Sequence, residues 1–300
     1  MSEAITTHGL GKTYGNQAVV QNLDLRVPRG CVYGFLGPNG SGKSTTMKML
    51  LSLVRPTSGD VHIMGRQMQR STRRDLLGEM GSLIEAPPAY VHLTGRENMR
   101  LAQRLLDLGD GQVNRAVEVV RLQDHLDKRV RDYSLGMKQR LGIAMALARE
   151  PQILILDEPT NGLDPAGIEE MRRLLKQLAD RGTTVMVSSH LLGEIDRTAT
   201  VLGILSEGRM LFQGTREQLF ARSVPDVLID TSDPDQATAL TARSGAVRDG
   251  DSVRIPGLDH AATAHLVAYL VDRRVAIHGV RREDQSLEDV FMDLTGGRGL

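Results

Sequence analysis

The residues with the clearest chemical potential form a glycine loop, Gly37-Pro-Asn-Gly-Ser-Gly-Lys-Ser-Thr45. The loop follows the pattern G-x-x-x-x-G-K-S/T, in which glycines let successive backbone N–H groups turn toward phosphates. Lys43 would reach the β and γ phosphates, and the Ser44 hydroxyl would bind Mg²⁺. The predicted phosphate-binding residues are Gly37, Pro38, Asn39, Gly40, Ser41, Gly42, Lys43, Ser44 and Thr45.

The flanking sequence supplies the elements that such a loop requires. Apolar residues 31–36 predict a buried strand before it, and the spaced apolar residues of 47–53 predict a helix after it. The N-terminus of that helix attracts anions because of its unpaired N–H groups and its dipole. This context favours a phosphate site over a chance glycine-rich turn.

Two acids, Asp157 and Glu158, follow the apolar run 153–156, which is too short for a helix and predicts a central parallel strand. Since α/β sheets bind ligands at the carboxyl ends of their strands, we expect Asp157 to hold Mg²⁺ through water. Glu158 would polarise an attacking water. Two acids after a strand can also simply cap the next turn; the phosphate loop favours the chemical interpretation.

A serine and a glycine, Ser134 and Gly136, open a helix predicted to run to about Arg149. A helix N-terminus of this kind is an anion site. An ordinary capping serine is the alternative for Ser134 alone. The helix leads directly into the predicted strand at 153–156, next to the acids.

With these motifs, residues 1–220 resemble the ATPase subunit of ABC transporters. Residues 37–45 resemble the Walker A loop of that family, and residues 153–158 resemble its Walker B strand. Residues 133–137 stand where the family has its Leu-Ser-Gly-Gly-Gln signature.

The resemblance implies three further site residues. Tyr14 is similar in position to the aromatic residue that stacks on adenine, and Asp164 ends a segment, 161–164, that resembles the D-loop. His190 resembles the switch histidine that senses the γ-phosphate. Considered alone, Tyr14 is more typical of a half-buried strand aromatic, and His190 of a hydrogen-bonding residue at a strand end.

The chain departs from the family pattern at two places. The signature has Leu135 instead of glycine and Met137 instead of glutamine, and Glu85 stands where the family usually has the Q-loop glutamine. Glutamate retains an oxygen for Mg²⁺ but adds a negative charge. These features resemble bacterial ATPases that export, or give immunity to, peptide antibiotics such as bacitracin and lantibiotics. Residues 286–295 also resemble the C-terminal extension of drug-export ATPases.

The resemblance implies an ATP- and Mg²⁺-dependent ATPase that powers export of a drug or antimicrobial peptide through a separate polytopic membrane subunit. Two copies would form a head-to-tail ATP-sandwich dimer, and residues 86–100 would contact the membrane partner at the cytoplasmic face of the membrane. The alternative is an ABC-type ATPase acting on ribosomes or nucleic acid. A non-hydrolysing binding module is disfavoured because the catalytic motifs are intact.

Composition agrees with these expectations. The chain has 37 Lys+Arg and 37 Asp+Glu residues, and this balance argues weakly against a dedicated nucleic-acid binder. The single cysteine, Cys31, fits a reducing, cytosolic compartment and a buried position. We find no apolar run long enough to span a membrane and no signal peptide.

The alternation of predicted strands and helices indicates an α/β fold with a parallel sheet. The resemblance implies a P-loop NTPase core with an N-terminal antiparallel β subdomain and a helical subdomain at about 88–150. We expect the nucleotide-binding domain to span 1–222 and a small α+β domain to span 223–300. Predicted helices cover about 94–108, 112–122, 135–149, 165–178, 191–198, 235–243, 260–273 and 286–294. Residues 3–35 are predicted to form short strands joined by turns. Further predicted strands are 61–64, 82–84, 153–156, 183–188, 201–205, 227–229, 247–255 with a break at Gly250, and 275–280.

Overall fold

A computed structural model describes residues 2–85, 87–189, 193, 195, 197–221, 225–283 and 286–294. The described residues group into two compact units, one from residue 2 to 215 and one between 216 and 294. Among them, no helix is both long enough and apolar enough to cross a bilayer.

The first unit contains two sheets and a set of helices. Its strands are β1 (Glu3–Tyr14), β2 (Gln17–Leu23), β3 (Arg26–Pro28), β4 (Val32–Leu36), β5 (Ser58–Ile63), β6 (Arg66–Gln67), β7 (Met80–Leu83), β8 (Ile153–Asp157), β9 (Thr184–Ser189), β10 (Val201–Ser206) and β11 (Arg209–Thr215). Its described helices are α1 (Lys43–Leu50), α2 (Arg73–Gly78), α3 (Gly95–Leu106), α4 (Asp110–Val119), α5 (Leu135–Leu147) and α6 (Pro165–Asp180).

The parallel sheet has the strand order β11-β10-β4-β9-β8-β7. Strands β10, β4, β9, β8 and β7 pair in parallel, and β11 joins the edge antiparallel to β10. Strand β4 and the first four residues of β8 are buried on both faces, which explains their continuous apolar runs. The predicted α/β fold with a parallel sheet is confirmed.

The antiparallel sheet follows the order β2-β1-β5-β6, and β3 also pairs with β1. Alternate residues of β1 and β5 enter the interior, where Ile5 and Val61 share one apolar core with Phe35 and Ile155 of the parallel sheet. We expected several short strands in this region, but β1 is a single strand of 12 residues.

The helical region agrees with prediction except at its boundaries. The capping box at the start of α3 is present, because Thr94 Oγ1 accepts the Glu97 N–H at 3.2 Å and Glu97 Oε2 accepts the Thr94 N–H at 2.7 Å. Helix α3 ends two residues earlier than predicted, since Asp107 has a left-handed backbone with φ 53°. Helix α4 begins at Asp110, two residues before the predicted start.

The second unit is a four-stranded antiparallel sheet with helices. Its strands are β12 (Asp226–Thr231), β13 (Val247–Asp249), β14 (Ser252–Ile255) and β15 (Ile277–Glu283), in the order β13-β14-β12-β15. Its described helices are α7 (Arg216–Phe220), α8 (Pro234–Thr241), α9 (His260–Asp272) and α10 (Leu287–Leu294). The predicted break between β13 and β14 is confirmed at Gly250, whose φ is 63°. Val227, Ile229 and Val253 form the centre of a separate core.

Candidate nucleotide-binding site

The glycine loop connects β4 to α1 at the carboxyl end of the parallel sheet, as the sequence predicts. Gly40 and Gly42 have φ angles of 79° and 104°, in the left-handed region that other residues disfavour. A Cβ at Gly42 would also lie 2.7 Å from the carbonyl oxygen of Val19. The backbone therefore turns at positions that only glycine accommodates well, and α1 begins directly after them with N–H groups that lack partners within the helix.

Lys43 folds back over this loop. Its Nζ donates to the carbonyl oxygen of Gly37 at 2.6 Å and to that of Pro38 at 3.2 Å. Burial lowers the pKa of Lys43, and the nearby charges of Glu158 and Asp157 oppose that shift. The ammonium group is thus held by loop carbonyls that a phosphate oxygen can replace, within electrostatic range of the two acids.

The Ser41 hydroxyl points into the same loop. Its Oγ is buried and has no hydrogen-bond partner in the part of the chain that the structure describes. A buried hydroxyl without a partner is costly, and a phosphate oxygen would relieve that cost. The loop residues therefore fit a phosphate group. Ser44 lies beside them on the first turn of α1, with its side chain exposed.

Asp157 and Glu158 lie at the end of β8, beside β9. The Ser188 hydroxyl donates to Asp157 Oδ1 at 2.6 Å and accepts the backbone N–H of Glu158 at 2.9 Å. Glu158 has a left-handed backbone with φ 51°, an uncommon conformation for a non-glycine residue. Because Ser188 is fully buried, it fixes the backbone and one carboxylate oxygen at this turn.

Glu85 pairs with a lysine of α1. Lys48 Nζ lies 2.6 Å from Glu85 Oε1. This hydrogen bond and the lysine charge lower the pKa of Glu85, and the same hydrogen bond raises the pKa of Lys48. In this structure the Glu85 carboxylate is thus bound to α1, the helix that follows the glycine loop.

Tyr14 ends β1 with its side chain half-exposed, at 49%. The Lys12 ammonium lies 4.8 Å from the centroid of its ring. A ring exposed to this extent can accept a planar ligand by stacking. His190 and four of the eight residues of the predicted helix at 191–198 lie outside the described residues.

Ser134, Gly136 and Asp164 lie together in the first unit. They line a cavity of about 340 Å³ whose lining includes no residue of the glycine loop. Both polar residues are helix N-caps: Ser134 Oγ accepts the Met137 N–H at 3.2 Å, and Asp164 Oδ1 accepts the Gly167 N–H at 3.0 Å. The capping role that was the alternative for Ser134 alone is therefore present in the structure, and Asp164 caps α6.

Leu135, the first departure from the family signature, lies against Gly162 in the same cavity. A Cβ at Gly162 would be only 2.9 Å from Leu135 Cδ2. Leu135 therefore fits because the segment 161–164 presents a glycine to it.

Comparison with known proteins decides the family. Residues 20–161 match the family described as ABC transporter. The bacitracin transport ATP-binding protein BcrA of Bacillus licheniformis is 39% identical over 304 residues, which cover 99% of this chain and 99% of that protein. The lantibiotic transport ATP-binding protein SrtF of Streptococcus pyogenes is 43% identical over 205 residues, 68% of this chain and 87% of SrtF. The chain belongs to the ABC transporter ATP-binding proteins.

A solved structure agrees with this assignment. The structure of an ATP binding subunit of an ABC transporter superposes with a TM-score of 0.66 at 29% identity, covering 73% of this chain and 92% of that one. This ABC transporter ATP-binding protein therefore binds ATP through its nucleotide-binding domain and is an ATPase.

Two contacts of the site in this ABC transporter ATP-binding protein were missed by reasoning from sequence. Ser188 supports both acids, and the signal for it was a pair of polar residues, Ser188 and Ser189, at the end of an otherwise apolar strand. Lys48 holds Glu85, and we see no sequence signal for it, because a lysine in the last turn of a helix is common.

Proposed function

We propose that this protein powers the export of a drug or antimicrobial peptide through a separate polytopic membrane subunit. The observation that carries the proposal is the match to BcrA, named for bacitracin transport, over 99% of both chains. That match extends through the second unit, beyond the 20–161 segment that defines the family. SrtF, named for lantibiotic transport, supports the same class of cargo. The relatives give no support to an ATPase of ribosomes or nucleic acid.

We assign the ATP contacts to the loop residues 37–45, with Lys43 on the β and γ phosphates and Tyr14 stacked on adenine. Support comes from the buried Lys43 ammonium, the unpaired Ser41 hydroxyl and the half-exposed Tyr14 ring. Glu158 would position the attacking water, and His190 would contact the γ-phosphate.

The same proposal gives the metal site to Ser44, Asp157 and Glu85. Hydroxyl and carboxylate oxygens are the ligands that Mg²⁺ prefers. When bound, Mg²⁺ supplies charge that neutralises the phosphates. Ser188 leaves the second carboxylate oxygen of Asp157 for this role, because its hydroxyl uses only Oδ1. The Lys48 ammonium on Glu85 Oε1 would compete with the cation for this carboxylate.

A head-to-tail dimer completes the site in this proposal. The phosphate loop of one copy would face Ser134, Gly136 and Asp164 of the other. Support comes from the cavity that these three residues line, which no loop residue of the same chain enters. The γ-phosphate would then bind both copies, and hydrolysis would weaken the dimer.

We place the contact with the membrane subunit at residues 86–100. In that stretch Tyr90 and Val91 expose large apolar side chains, at 59% and 54%. The protein would thus reach the cytoplasmic face of the membrane through its partner. We also propose that residues 1–222, with the helical subdomain at about 88–150, form the nucleotide-binding domain and that residues 223–300 form an accessory domain.

The test is affinity purification of the tagged Glu158→Gln chain from detergent-solubilised membranes with ATP present. We expect a polytopic membrane protein in about equal amount, because slowed hydrolysis preserves the ATP-bound assembly. Lys43→Ala is the matched control. This variant should not bind ATP and should therefore lose the ATP-dependent part of the recovery of the membrane protein. Recovery only from the soluble fraction, together with ribosomes or nucleic acid, would overturn the proposal.

A further inference from the structure

Two histidines and an aspartate converge on the outer face of the antiparallel sheet. His8 of β1 lies directly opposite Asp60 of β5, and His62 is two residues beyond Asp60 on the same strand. Residues two apart on a strand share a face, so all three side chains project from one side. The opposite side carries Ile5 and Val61 into the core. None of these three residues belongs to the candidate nucleotide-binding site.

The donor atoms of this His8–Asp60–His62 cluster are close enough to share one ion. His8 Nδ1 lies 2.9 Å from Asp60 Oδ1, and His62 Nδ1 lies 3.0 Å from the same oxygen. One ligand atom from each residue lies within 4.8 Å of the others. The two imidazole rings meet edge to face with centroids 5.2 Å apart, and each has its Nδ1 within 3.0 Å of the same carboxylate oxygen.

His62 supplies a second, independent observation. Its Nδ1 is buried and makes no hydrogen bond with the described residues, although it lies 3.0 Å from the Asp60 oxygen. A buried nitrogen that makes no well-aligned hydrogen bond is destabilising unless something else satisfies it. A cation among the three residues would take its lone pair, as well as that of His8 and an oxygen of Asp60.

The separations suit a small transition metal. Ligands at about 2.0–2.1 Å in tetrahedral geometry stand about 3.3 Å from one another. The observed 2.9 and 3.0 Å need therefore widen by only about 0.3–0.4 Å, within reach of small side-chain rotations. Imidazole nitrogens favour Zn²⁺ and its neighbours over Mg²⁺ or Ca²⁺, which prefer all-oxygen sites.

We propose that His8, Asp60 and His62 bind a divalent transition metal, Zn²⁺ by the chemistry of the donors, with water in the remaining coordination position. The ion would join β1 to β5. No other group of three or more His, Cys, Asp or Glu side chains within the described ranges has this proximity.

The test is calorimetric titration of the full-length, tag-free and nucleotide-free chain with ZnCl₂ alone. We expect one equivalent bound, with affinity reduced about tenfold or more in His8→Ala and in His62→Ala. His265→Ala is the matched control, since it removes an exposed histidine of α9 and should leave zinc affinity unchanged. Co²⁺ titration should give the visible absorption of a tetrahedral nitrogen and oxygen site, and both cluster variants should lose it.

Thermal unfolding separates loss of the site from loss of the fold. Zinc should raise the unfolding temperature of the wild-type chain but not that of His62→Ala. Without metal, both proteins should be folded, and each should unfold in a single transition. Unchanged zinc stoichiometry and affinity in both cluster variants would overturn the proposal. So would equal competition by Mg²⁺ at the same concentration.

Discussion

The ion pair between Lys48 and Glu85 makes a quantitative prediction about Mg²⁺. Lys48 Nζ holds Glu85 Oε1 at 2.6 Å, and this contact competes with the proposed binding of Mg²⁺ by the same carboxylate. Lys48→Gln removes the competitor without adding charge. We therefore expect the variant to reach half-maximal ATPase activity at a lower Mg²⁺ concentration than the wild type.

The size of the shift follows from the exposure of the pair. The Lys48 side chain is 32% exposed and that of Glu85 69%, so water and salt screen their attraction. Exposed ion pairs change equilibria by a factor of about 1.5 to 5. The half-maximal Mg²⁺ concentration should fall by about that factor in Lys48→Gln, and less at high salt.

The assay is ATP turnover against buffered free Mg²⁺ for four proteins: wild type, Lys48→Gln, Glu85→Gln and the double variant. The cycle is needed because Lys48 also interacts with Asp157, so its loss would favour any cation nearby. The shift from Lys48→Gln should disappear in the Glu85→Gln background. Lys176→Gln, at an exposed position of α6, is the control for loss of one positive charge.

Two results would refute this reasoning. An equal shift in both backgrounds would mean that Lys48 acts through its general charge and not by holding Glu85. An unchanged Mg²⁺ dependence in Glu85→Gln would mean that the glutamate has no metal role.

Three further outcomes are expected. Glu158→Gln should keep ATP binding while hydrolysis falls on the order of 100-fold or more in an ATPase assay, and normal turnover would remove Glu158 from its role. Burial raises the pKa of Cys31 to about 11, so at pH 8 the neutral thiol should react with a disulfide reagent far more slowly when folded than in urea; equal rates would contradict its burial. Asp164→Ala should lower the free energy of unfolding by about 1 kcal/mol in chemical denaturation, and an unchanged midpoint would show that this helix cap contributes no stability.

The nucleotide loop could be predicted from sequence because its residues are contiguous. Nine neighbouring residues contain the turn, the lysine and the helix start, so no long-range pairing had to be inferred. The strand at 153–157 was equally clear, since a strand buried on both faces has a continuous apolar run.

Errors arose where local signals misled. Gly9 and Gly11 resemble turn residues, but they lie inside β1, where the pairing register shifts next to them. The six-residue helix α2 was missed because Leu76 alone of its residues is buried, which leaves no apolar period.

Long-range contacts could not be predicted because they depend on register and sheet order. Lys48 and Glu85 are separated by 37 residues, and His8 and Asp60 by 52. Ser188 meets Asp157 only because β8 and β9 are neighbours in register. The members of these pairs do not stand out in the sequence, and only the fold brings them into contact.

In the segment that resembles the family signature, Ser134 retains a hydroxyl hydrogen that it would donate to a phosphate in the proposed dimer. Ser134 caps α5 by accepting the Met137 N–H, which occupies a lone pair of the hydroxyl and leaves its hydrogen to be donated. The cap therefore orients the hydroxyl without consuming it as a donor. In the proposed dimer neither Leu135 nor Met137 would supply a donor side chain, since the donors would be the Ser134 hydroxyl and backbone N–H groups of the first turn. The departures from the family pattern thus change the lining of this surface, against Gly162, and leave in place the groups that we propose to bind the γ-phosphate.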